Sequence, residues 1–179
     1  NRKEFGVLYG RRRIGKSSIL NEFLKGKNGL LFQAKQDNSY GNLKSFSYEV
    51  DHLLDLPDTF VFASWQHAFK SIQEYAKNER FVLVIDEYPY IVSQDSSFSS
   101  VLQEFIDHAS DNMMVILSGS DIGFLQREIQ NHASPLYKRR TFEMEIKKMN
   151  FMDAKEFVKM EDIESQANYL CLMSGYPYY

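Results

Sequence analysis

The segment "GRRRIGKS", residues 10–17, contains the residue types that bind phosphate groups. It matches the spacing G-x-x-x-x-G-K-[ST], in which Gly10 and Gly15 allow backbone conformations that a Cβ atom would block and turn successive N–H groups inward. Lys16 would place a positive charge beside the β- and γ-phosphates, and Ser17 would offer a hydroxyl ligand to Mg²⁺. We therefore predict that residues 10–17, the phosphate loop, bind a phosphate group. A turn with a few solvated charges is the alternative.

The sequence on either side of the loop supports the prediction of a phosphate site, and the variable positions of the loop are predicted to contact the nucleotide as well. The apolar run "FGVLY" before the loop predicts a strand, and the apolar stripe after it predicts a helix, which is the context that the motif requires. For the three arginines of the loop, the alternative is a role as solvated loop charges. The predicted nucleotide-binding residues of this segment are Gly10, Arg11, Arg12, Arg13, Ile14, Gly15, Lys16, Ser17 and Ser18.

A second segment, "FVLVIDE" at residues 81–87, is an apolar run that ends in two acids. In a buried parallel strand, carboxylates belong at the carboxyl end, where ligands of such sheets bind. Asp86 is suited to hold Mg²⁺ together with Ser17, and Glu87 is suited to orient and polarise the attacking water. A strand that ends in a solvated polar loop is the alternative.

A third segment, "MMVILSGS" at residues 113–120, is another apolar run, and it ends in hydroxyl side chains. A polar group at this edge of the sheet could contact the γ-phosphate or the attacking water. Ser118 is the first candidate for this catalytic role and Ser120 is the second. An ordinary turn at the end of a strand explains the same residues equally well.

These segments belong to a regular alternation of strands and helices. Apolar runs predict strands at 5–9, 30–34, 81–85, 115–117 and 141–146, and apolar residues at helical spacing predict helices at 14–24, 43–53, 65–75, 98–106 and 122–129. Such an alternation predicts a parallel sheet covered on both faces, a three-layer α/β/α fold. After residue 149 the pattern changes to two helices, through 158 and from 162 to 173, so we expect a core at 1–149 and a small helical subdomain from 150 to 179.

The composition of the 179 residues fits a globular domain and narrows the classes of function. The net charge of -3 gives no general attraction to nucleic acid or to an anionic membrane. The apolar runs are too short to cross a bilayer and no signal peptide opens the chain, so we expect a cytoplasmic protein. The single cysteine, Cys171, excludes an internal disulfide and is expected to be buried. The sequence has no N-K-x-D element, the motif that recognises guanine, and this favours ATP over GTP. The chain does not begin with Met, so we expect it to be part of a longer protein.

Five segments in a fixed order give the chain a family resemblance: "LYGRRRIGKSSIL", "VLVIDEYPYI", "VILSGSDIGFL", "SPLYKRRTFEMEI" and "SGYPYY". With these segments the chain resembles the P-loop ATPases common in archaea and some bacteria, which are relatives of the STAND and AAA+ groups. The resemblance implies a five-stranded parallel sheet, with the "IDE" and "ILSGS" strands beside the phosphate-loop strand, followed by a helical lid. It also implies ATP and Mg²⁺ as cofactors.

The same resemblance implies two further site residues. In "SPLYKRRT" the family carries a basic residue that faces the nucleotide or a neighbouring subunit, and this residue matches Arg139, although position 138 is Lys where the family more often has Gly. In "SGYPYY" the resemblance implies that Pro177 packs on the adenine. A solvated basic loop and a helix end capped by Gly175 are the respective alternatives.

These observations lead to one expected function and three alternatives. We expect an ATP-binding, Mg²⁺-dependent ATPase domain that couples ATP binding and hydrolysis to conformational change in attached domains. The alternatives are a slowly hydrolysing nucleotide switch or scaffold, a P-loop kinase, and a DNA-acting ATPase. Expected partners are ATP or ADP and a second copy or another protein, with DNA bound only through domains absent from this chain and no membrane contact.

Overall fold

The sheet of the protein has five parallel strands. The computed structural model describes residues 2–54, 60–158, 162–173 and 175–176. The strands are β1 (Glu4–Tyr9), β2 (Gly29–Gln33), β3 (Phe81–Asp86), β4 (Met113–Gly119) and β5 (Phe142–Glu145), arranged in the order β2-β3-β4-β1-β5. Every neighbouring pair is parallel. The α/β fold and the five-stranded parallel sheet predicted from the sequence are therefore confirmed.

Helices connect the strands and cover both faces of the sheet. They are α1 (Lys16–Leu24), α2 (Ser39–Leu54), α3 (Trp65–Tyr75), α4 (Pro89–Gln94), α5 (Phe98–His108), α6 (Ile122–Gln130), α7 (Phe151–Phe157) and α8 (Ile163–Met173). The sequence predicts seven of them to within a few residues, but not the short α4. None of the helices in the described ranges has the length and apolar character needed to cross a bilayer.

The core lies on the two faces of the sheet and is larger on one of them. All six residues of β3 are buried, as is typical of a central parallel strand covered on both sides. On the larger side an aromatic group connects α2, α3 and α5, with ring centroids 4.7 Å apart for Trp65 and Phe98 and 4.6 Å apart for Phe69 and Phe105. The smaller cluster on the other side contains Leu8, Leu20, Val82, Val84 and Ile116.

The strand order differs in one respect from the order that the family resemblance implies. The strand β1 pairs with β4 along the whole length of β1, and β3 pairs with the other side of β4. The expectation that the "IDE" strand lies directly beside the phosphate-loop strand is therefore wrong, because β4 separates them. The carboxyl ends of β1, β4 and β3 nevertheless meet at one edge of the sheet, which is the edge that positions the site.

The pairing of β1 with the edge strand β5 depends on a close contact. Gly6 lies opposite Phe142, and a Cβ atom on Gly6 would lie 1.9 Å from Cζ of the Phe142 ring. The aromatic ring therefore occupies the space that any other residue at position 6 would fill.

The residues after 149 form two helices with a small apolar cluster between them, which consists of Ala154, Val158, Leu170 and Met173. Asn150 caps α7 and Asp162 caps α8 through hydrogen bonds from backbone N–H groups. The backbone N–H of Met149 donates to the carbonyl of Gly175 (3.0 Å), which joins the end of the sheet segment to the end of α8. The expectation that Cys171 is buried is wrong, because α8 turns Leu170 and Met173 inward and leaves Cys171 exposed. The division of the chain at residue 149 stays a prediction.

Candidate functional site

The phosphate loop leads from the end of β1 into the first turn of α1. Gly15 is the N-cap of α1 and has φ +95°, a left-handed conformation that glycine adopts without steric cost. Gly10 is not left-handed. A Cβ atom at this position would lie 2.4 Å from the carbonyl oxygen of Ile146, so the close approach of that backbone requires a glycine here. The second left-handed residue of the loop is Arg13, with φ +62°. The expectation that both glycines supply unusual backbone angles is thus met at Gly15 and wrong at Gly10.

Lys16 lies inside the loop, with 5% of its surface exposed. Its Nζ donates hydrogen bonds to the carbonyls of Gly10 (3.0 Å) and Arg11 (3.2 Å). Burial lowers the pKa of the Lys16 amine, the negative charges of Glu87 and Asp86 raise it, and the charge of Arg12 lowers it further. The basic group is thus held at the centre of the loop, where it interacts with the charges of Asp86 and Glu87.

Asp86, at the end of β3, is fully buried and its carboxylate accepts three hydrogen bonds. Ser17 Oγ donates to Oδ2 (2.5 Å), Ser118 Oγ donates to Oδ1 (2.5 Å), and the backbone N–H of Glu87 donates to Oδ1 (3.0 Å). The predicted metal residues Ser17 and Asp86 are therefore in direct contact. Hydroxyl and carboxylate oxygens are the ligands that Mg²⁺ prefers, so the donor set fits this cation.

The two serine candidates at the end of β4 lie beside different acids. Ser118 is fully buried and contacts Asp86, so this side chain is placed to act on a ligand through Asp86. Ser120 donates to Oε2 of Glu87 from both its backbone N–H (3.1 Å) and its hydroxyl (3.0 Å). Each serine at the end of β4 thus fixes one carboxylate at the end of β3.

Glu87 has a left-handed backbone, with φ +53°. This conformation is uncommon for a residue with a side chain, and such residues often lie at functional sites. Glu87 lines a cavity of about 440 Å³, which we call the loop cavity. The other residues that line this cavity are Arg12, Arg13, Gly15, Lys16, Ser17, Ser18, Gln33, Ala34 and Tyr90.

A second cavity, of about 460 Å³, lies beside the first residues of the phosphate loop, and we call it the lid-side cavity. It is lined by Arg11, Ile14, Ile122, Glu145, Ile146, Lys147, Lys148 and Tyr176. Pro177, the predicted adenine contact, lies outside the described residues, but its neighbour Tyr176 lines this cavity. The phosphate loop thus contributes side chains to two cavities, one polar and one with several apolar residues.

Arg139 is not brought together with those of the other predicted site residues that the structure describes. Its Nε and Nη2 atoms donate to the two carboxylate oxygens of Asp107, each at 2.8 Å. It lines a small cavity with Phe5, at the amino end of β1, whereas the phosphate loop follows Tyr9 at the carboxyl end. The length of β1, roughly 17 Å, separates the two places. Lys138 has φ +58°, so the position where the family more often has Gly keeps a backbone that glycine favours.

The structure adds Tyr90 to the site, a residue that none of the sequence motifs predicts. The Tyr90 hydroxyl accepts a hydrogen bond from Nη2 of Arg12 (2.9 Å), and both side chains line the loop cavity. The signal for it was present in the sequence, because Pro89 is typical of the first turn of a helix. A helix that begins at Pro89 brings Tyr90 to the same edge as Glu87.

Comparisons with known proteins give matches of both sequence and fold. Residues 1–169 match the model of a family described as an ATPase domain predominantly from Archaea. The chain is 25% identical over 181 residues to an uncharacterized protein of Methanocaldococcus jannaschii, and the match covers 100% of this chain and 39% of that protein.

Two solved structures share the fold. The Walker-type ATPase of Pyrococcus abyssi superposes with a TM-score of 0.75 at 20% identity, over 97% of this chain and 59% of that chain. The Aeropyrum pernix ORC1 protein, solved in complex with DNA, gives a TM-score of 0.61 at 12% identity, over 93% of this chain and 44% of that chain. The chain thus spans less than two thirds of the length of each of these relatives.

Proposed function

Because the chain belongs to the family of ATPase domains found predominantly in Archaea, we propose that it binds ATP with Mg²⁺, hydrolyses it, and couples these events to conformational change in attached domains. The family supports an ATPase-type function and nucleotide binding. The single observation that supports Mg²⁺-dependent binding and hydrolysis of ATP is the contact of Ser17 with Asp86 (2.5 Å) beside the buried Lys16. It unites a phosphate-binding loop with a carboxylate at one edge of the sheet.

The phosphate groups would lie in the loop cavity. Lys16 would contact the β- and γ-phosphates, and the backbone N–H groups of the loop and of the first turn of α1 would bind their oxygens. Because Lys16 already lies inside the loop, binding exchanges its two contacts with loop carbonyls for contacts with phosphate and needs no large movement. This preorganisation favours the binding of a charged ligand.

Ser17 and Asp86 would hold the Mg²⁺ ion. When bound, the cation would neutralise charge on the phosphate oxygens. Ser118 keeps the Asp86 carboxylate in one orientation through its hydrogen bond to Oδ1. The role of Ser118 in this proposal is therefore to position a metal ligand.

Glu87 would orient the attacking water and accept its proton. Ser120 fixes Oε2 of this carboxylate with two hydrogen bonds, which directs the side chain and leaves Oε1 to interact with water in the loop cavity. A group held in this way loses little freedom when the water binds, which is the condition for efficient general-base catalysis.

The nucleotide base would occupy the lid-side cavity. Ile14, Ile122 and Ile146 offer apolar surface to a flat ring, and Tyr176 offers an aromatic side chain from the segment after α8. The hydrogen bond from Met149 to Gly175 joins this segment to the chain after β5, so a bound base would contact both the sheet and the segment after α8. This arrangement would carry the effect of nucleotide binding toward attached domains.

A slowly hydrolysing nucleotide switch is a second candidate, and one observation favours it. The backbone N–H and the hydroxyl of Ser120 both donate to Oε2 of Glu87, so this oxygen is occupied and only Oε1 is left to accept a proton from water. A protein with this property would retain nucleotide and turn over slowly. The rate of turnover and the retention of nucleotide through purification separate the two candidates.

The main test measures phosphate release from ATP by the full-length protein and by the variants Lys16→Ala and Glu87→Gln, with Mg²⁺ and with a chelator. We expect Lys16→Ala to lose nucleotide binding, because the loop loses its central charge. We expect Glu87→Gln to bind ATP and to release phosphate at least about tenfold more slowly, since its amide keeps the contacts with Ser120 but cannot accept a proton.

Matched controls on the surface are Lys77→Ala and Glu79→Gln, both at exposed positions of the turn after α3. They remove the same charges without touching either cavity and should behave as the wild type. Release of phosphate without an added acceptor distinguishes hydrolysis from transfer by a kinase, and stimulation by DNA would indicate a DNA-acting ATPase. Unchanged turnover in Glu87→Gln would remove the assignment of Glu87 as the base.

A further inference from the structure

Arg12 is a cation at the wall of the loop cavity. It is the third residue of the phosphate loop, and it lines the cavity together with Lys16 and Glu87. Its Nη2 atom donates a hydrogen bond to the hydroxyl of Tyr90 (2.9 Å). The exposed guanidinium is thus held at the cavity wall by a residue of a different element.

Both ends of this contact are fixed by the fold. On the loop side, Lys16 Nζ binds the carbonyls of Gly10 and Arg11, which braces the backbone immediately before Arg12. On the other side, Tyr90 is the second residue of α4, and its backbone N–H donates to the carbonyl of Glu87 (2.9 Å). The Tyr90 hydroxyl therefore holds the guanidinium of Arg12 at the wall of the loop cavity, which Glu87 also lines.

The hydrogen-bond partner of Arg12, the Tyr90 hydroxyl, carries no negative charge. Arg139 is paired with Asp107 and Arg140 with Glu143, each at 2.8 Å. Within the described part of the chain, Arg12 forms no ion pair, and its side chain makes its one hydrogen bond to a neutral phenol. A guanidinium carries five N–H donors in a fixed fork that matches phosphate oxygens. Arg12 thus retains the charge and the donors that an anion in the cavity would attract.

We propose that Arg12 is a catalytic residue that binds the γ-phosphate of ATP within its own chain, and that Tyr90 is its positioning residue. The inference rests on the proposed function. Charge on the terminal phosphoryl oxygens must be stabilised as the bond to the β-phosphate breaks, and an arginine at this position does so. Arg139 lies at the opposite edge of the sheet and cannot serve the loop cavity within its own chain. Arg12 supplies a cation to this cavity instead.

The test compares Arg12→Ala, Arg12→Lys and Tyr90→Phe in the full-length protein. The measurements are kcat and KM for ATP, and the dissociation constants of ADP and of the non-hydrolysable imido analogue of ATP. Because ADP has no γ-phosphate, Arg12→Ala should leave ADP binding within about twofold while it weakens analogue binding about tenfold and lowers kcat about 100-fold. Arg12→Lys should restore much of the analogue binding but little of kcat, because an ammonium lacks the fork.

Tyr90→Phe keeps the ring and removes only the hydroxyl that positions Arg12. It should lower kcat about tenfold, with KM and ADP affinity unchanged, since the arginine remains but is less well ordered. A role of Tyr90 in folding alone would change ADP and analogue affinity together and would leave kcat of the bound enzyme as it is. That result would overturn the positioning role.

Exposed residues of the same types serve as controls, and Arg127→Ala in α6 and Tyr40→Phe in α2 should match the wild type. If Arg12→Ala changes kcat and the ratio of ADP to analogue affinity no more than Arg127→Ala does, Arg12 does not bind the γ-phosphate, although the proposed ATPase function stands. If the wild type neither binds nor hydrolyses ATP, both the proposed function and this inference are wrong. Equal loss of ADP and analogue binding in Arg12→Ala would show that the arginine serves loop structure instead.

Discussion

Replacing Ser118 by Ala tests how strongly the carboxylate at the end of β3 depends on its neighbours. The hydroxyl of Ser118 donates to Oδ1 of Asp86 at 2.5 Å, and both side chains are fully buried. The loss of a charge-assisted hydrogen bond of this kind costs about 1.5–3 kcal/mol. Because Oδ1 keeps the N–H of Glu87 and Oδ2 keeps Ser17, we expect about 2 kcal/mol of lost unfolding free energy.

The same substitution should change the response to Mg²⁺. A residue that orients a metal ligand typically contributes 10- to 100-fold to metal affinity. We therefore expect Ser118→Ala to raise the Mg²⁺ concentration for half-maximal ATP turnover about 10- to 100-fold, while the turnover at saturating Mg²⁺ falls less. Urea unfolding measures the first effect, and a Mg²⁺ titration of phosphate release measures the second.

Ser47→Ala is the matched control, because Ser47 is also fully buried and its hydroxyl also donates a hydrogen bond. It donates to the carbonyl of Leu43 (2.8 Å) and accepts from the N–H of Phe62 (3.1 Å), in the aromatic layer around α2. It should lose stability without a change in the response to Mg²⁺. A Mg²⁺ titration of Ser118→Ala that coincides with that of Ser47→Ala would refute the argument that Ser118 positions a metal ligand.

Two further predictions concern the other serine of β4 and the ion pair at the opposite edge. Ser120→Ala removes the hydroxyl that donates to Glu87 and keeps the hydrogen bond from the backbone N–H. We therefore expect kcat for ATP to fall about three- to tenfold with KM unchanged. A rise in kcat would mean that Ser120 restrains Glu87 instead of positioning it. Hydrogen bonding and the charge of Arg139 lower the pKa of Asp107 against the effect of burial. This pair therefore stabilises the fold above the unfolded-state pKa of about 3.9 and loses its effect as the pH falls through the lower pKa of the folded state. Arg139→Ala should reduce the unfolding free energy by about 0.5–1 kcal/mol near pH 7, the small value reflecting solvent screening. In acid the difference should shrink to what the hydrogen bonds of Arg139 to the carbonyls of Pro135 and Tyr137 contribute; a difference independent of pH in urea unfolding would contradict this linkage.

The sequence predicts the sheet and most of its helices because two local signals agree. Apolar runs rich in β-branched and aromatic residues indicate buried parallel strands, and helical spacing of apolar residues indicates the covering layers. The order of strands is a different matter, because it depends on which side of a neighbour each strand packs. Residues 113–119 carry no feature that would place them between β1 and β3, and the family expectation is wrong at this point.

At the candidate site, the sequence predicts the groups that a sheet edge must bring together, but not the contacts among side chains. The spacing of the loop and the position of Asp86 at the end of a strand predict that Ser17 and Asp86 lie at the same edge of the sheet, and the structure has their side chains in contact. Whether Ser118 faces the buried carboxylate or a ligand depends on side-chain direction within β4, and the sequence does not contain this information. The ion pair of Arg139 with Asp107 could not be predicted from the sequence either, because it joins side chains 32 residues apart in the chain.

Gly6 of β1 leaves room for the Phe142 ring, and this contact fixes the alignment of the edge strand β5 with β1. The smallest slip of β5 that leaves its side chains on their own faces is two residues, and this slip would press the ring against Leu8 or Glu4. Both have side chains where Gly6 has none. The edge strand therefore has one permitted alignment, and the backbone that continues from it through Ile146 is held at a constant offset from the loop that begins at Gly10.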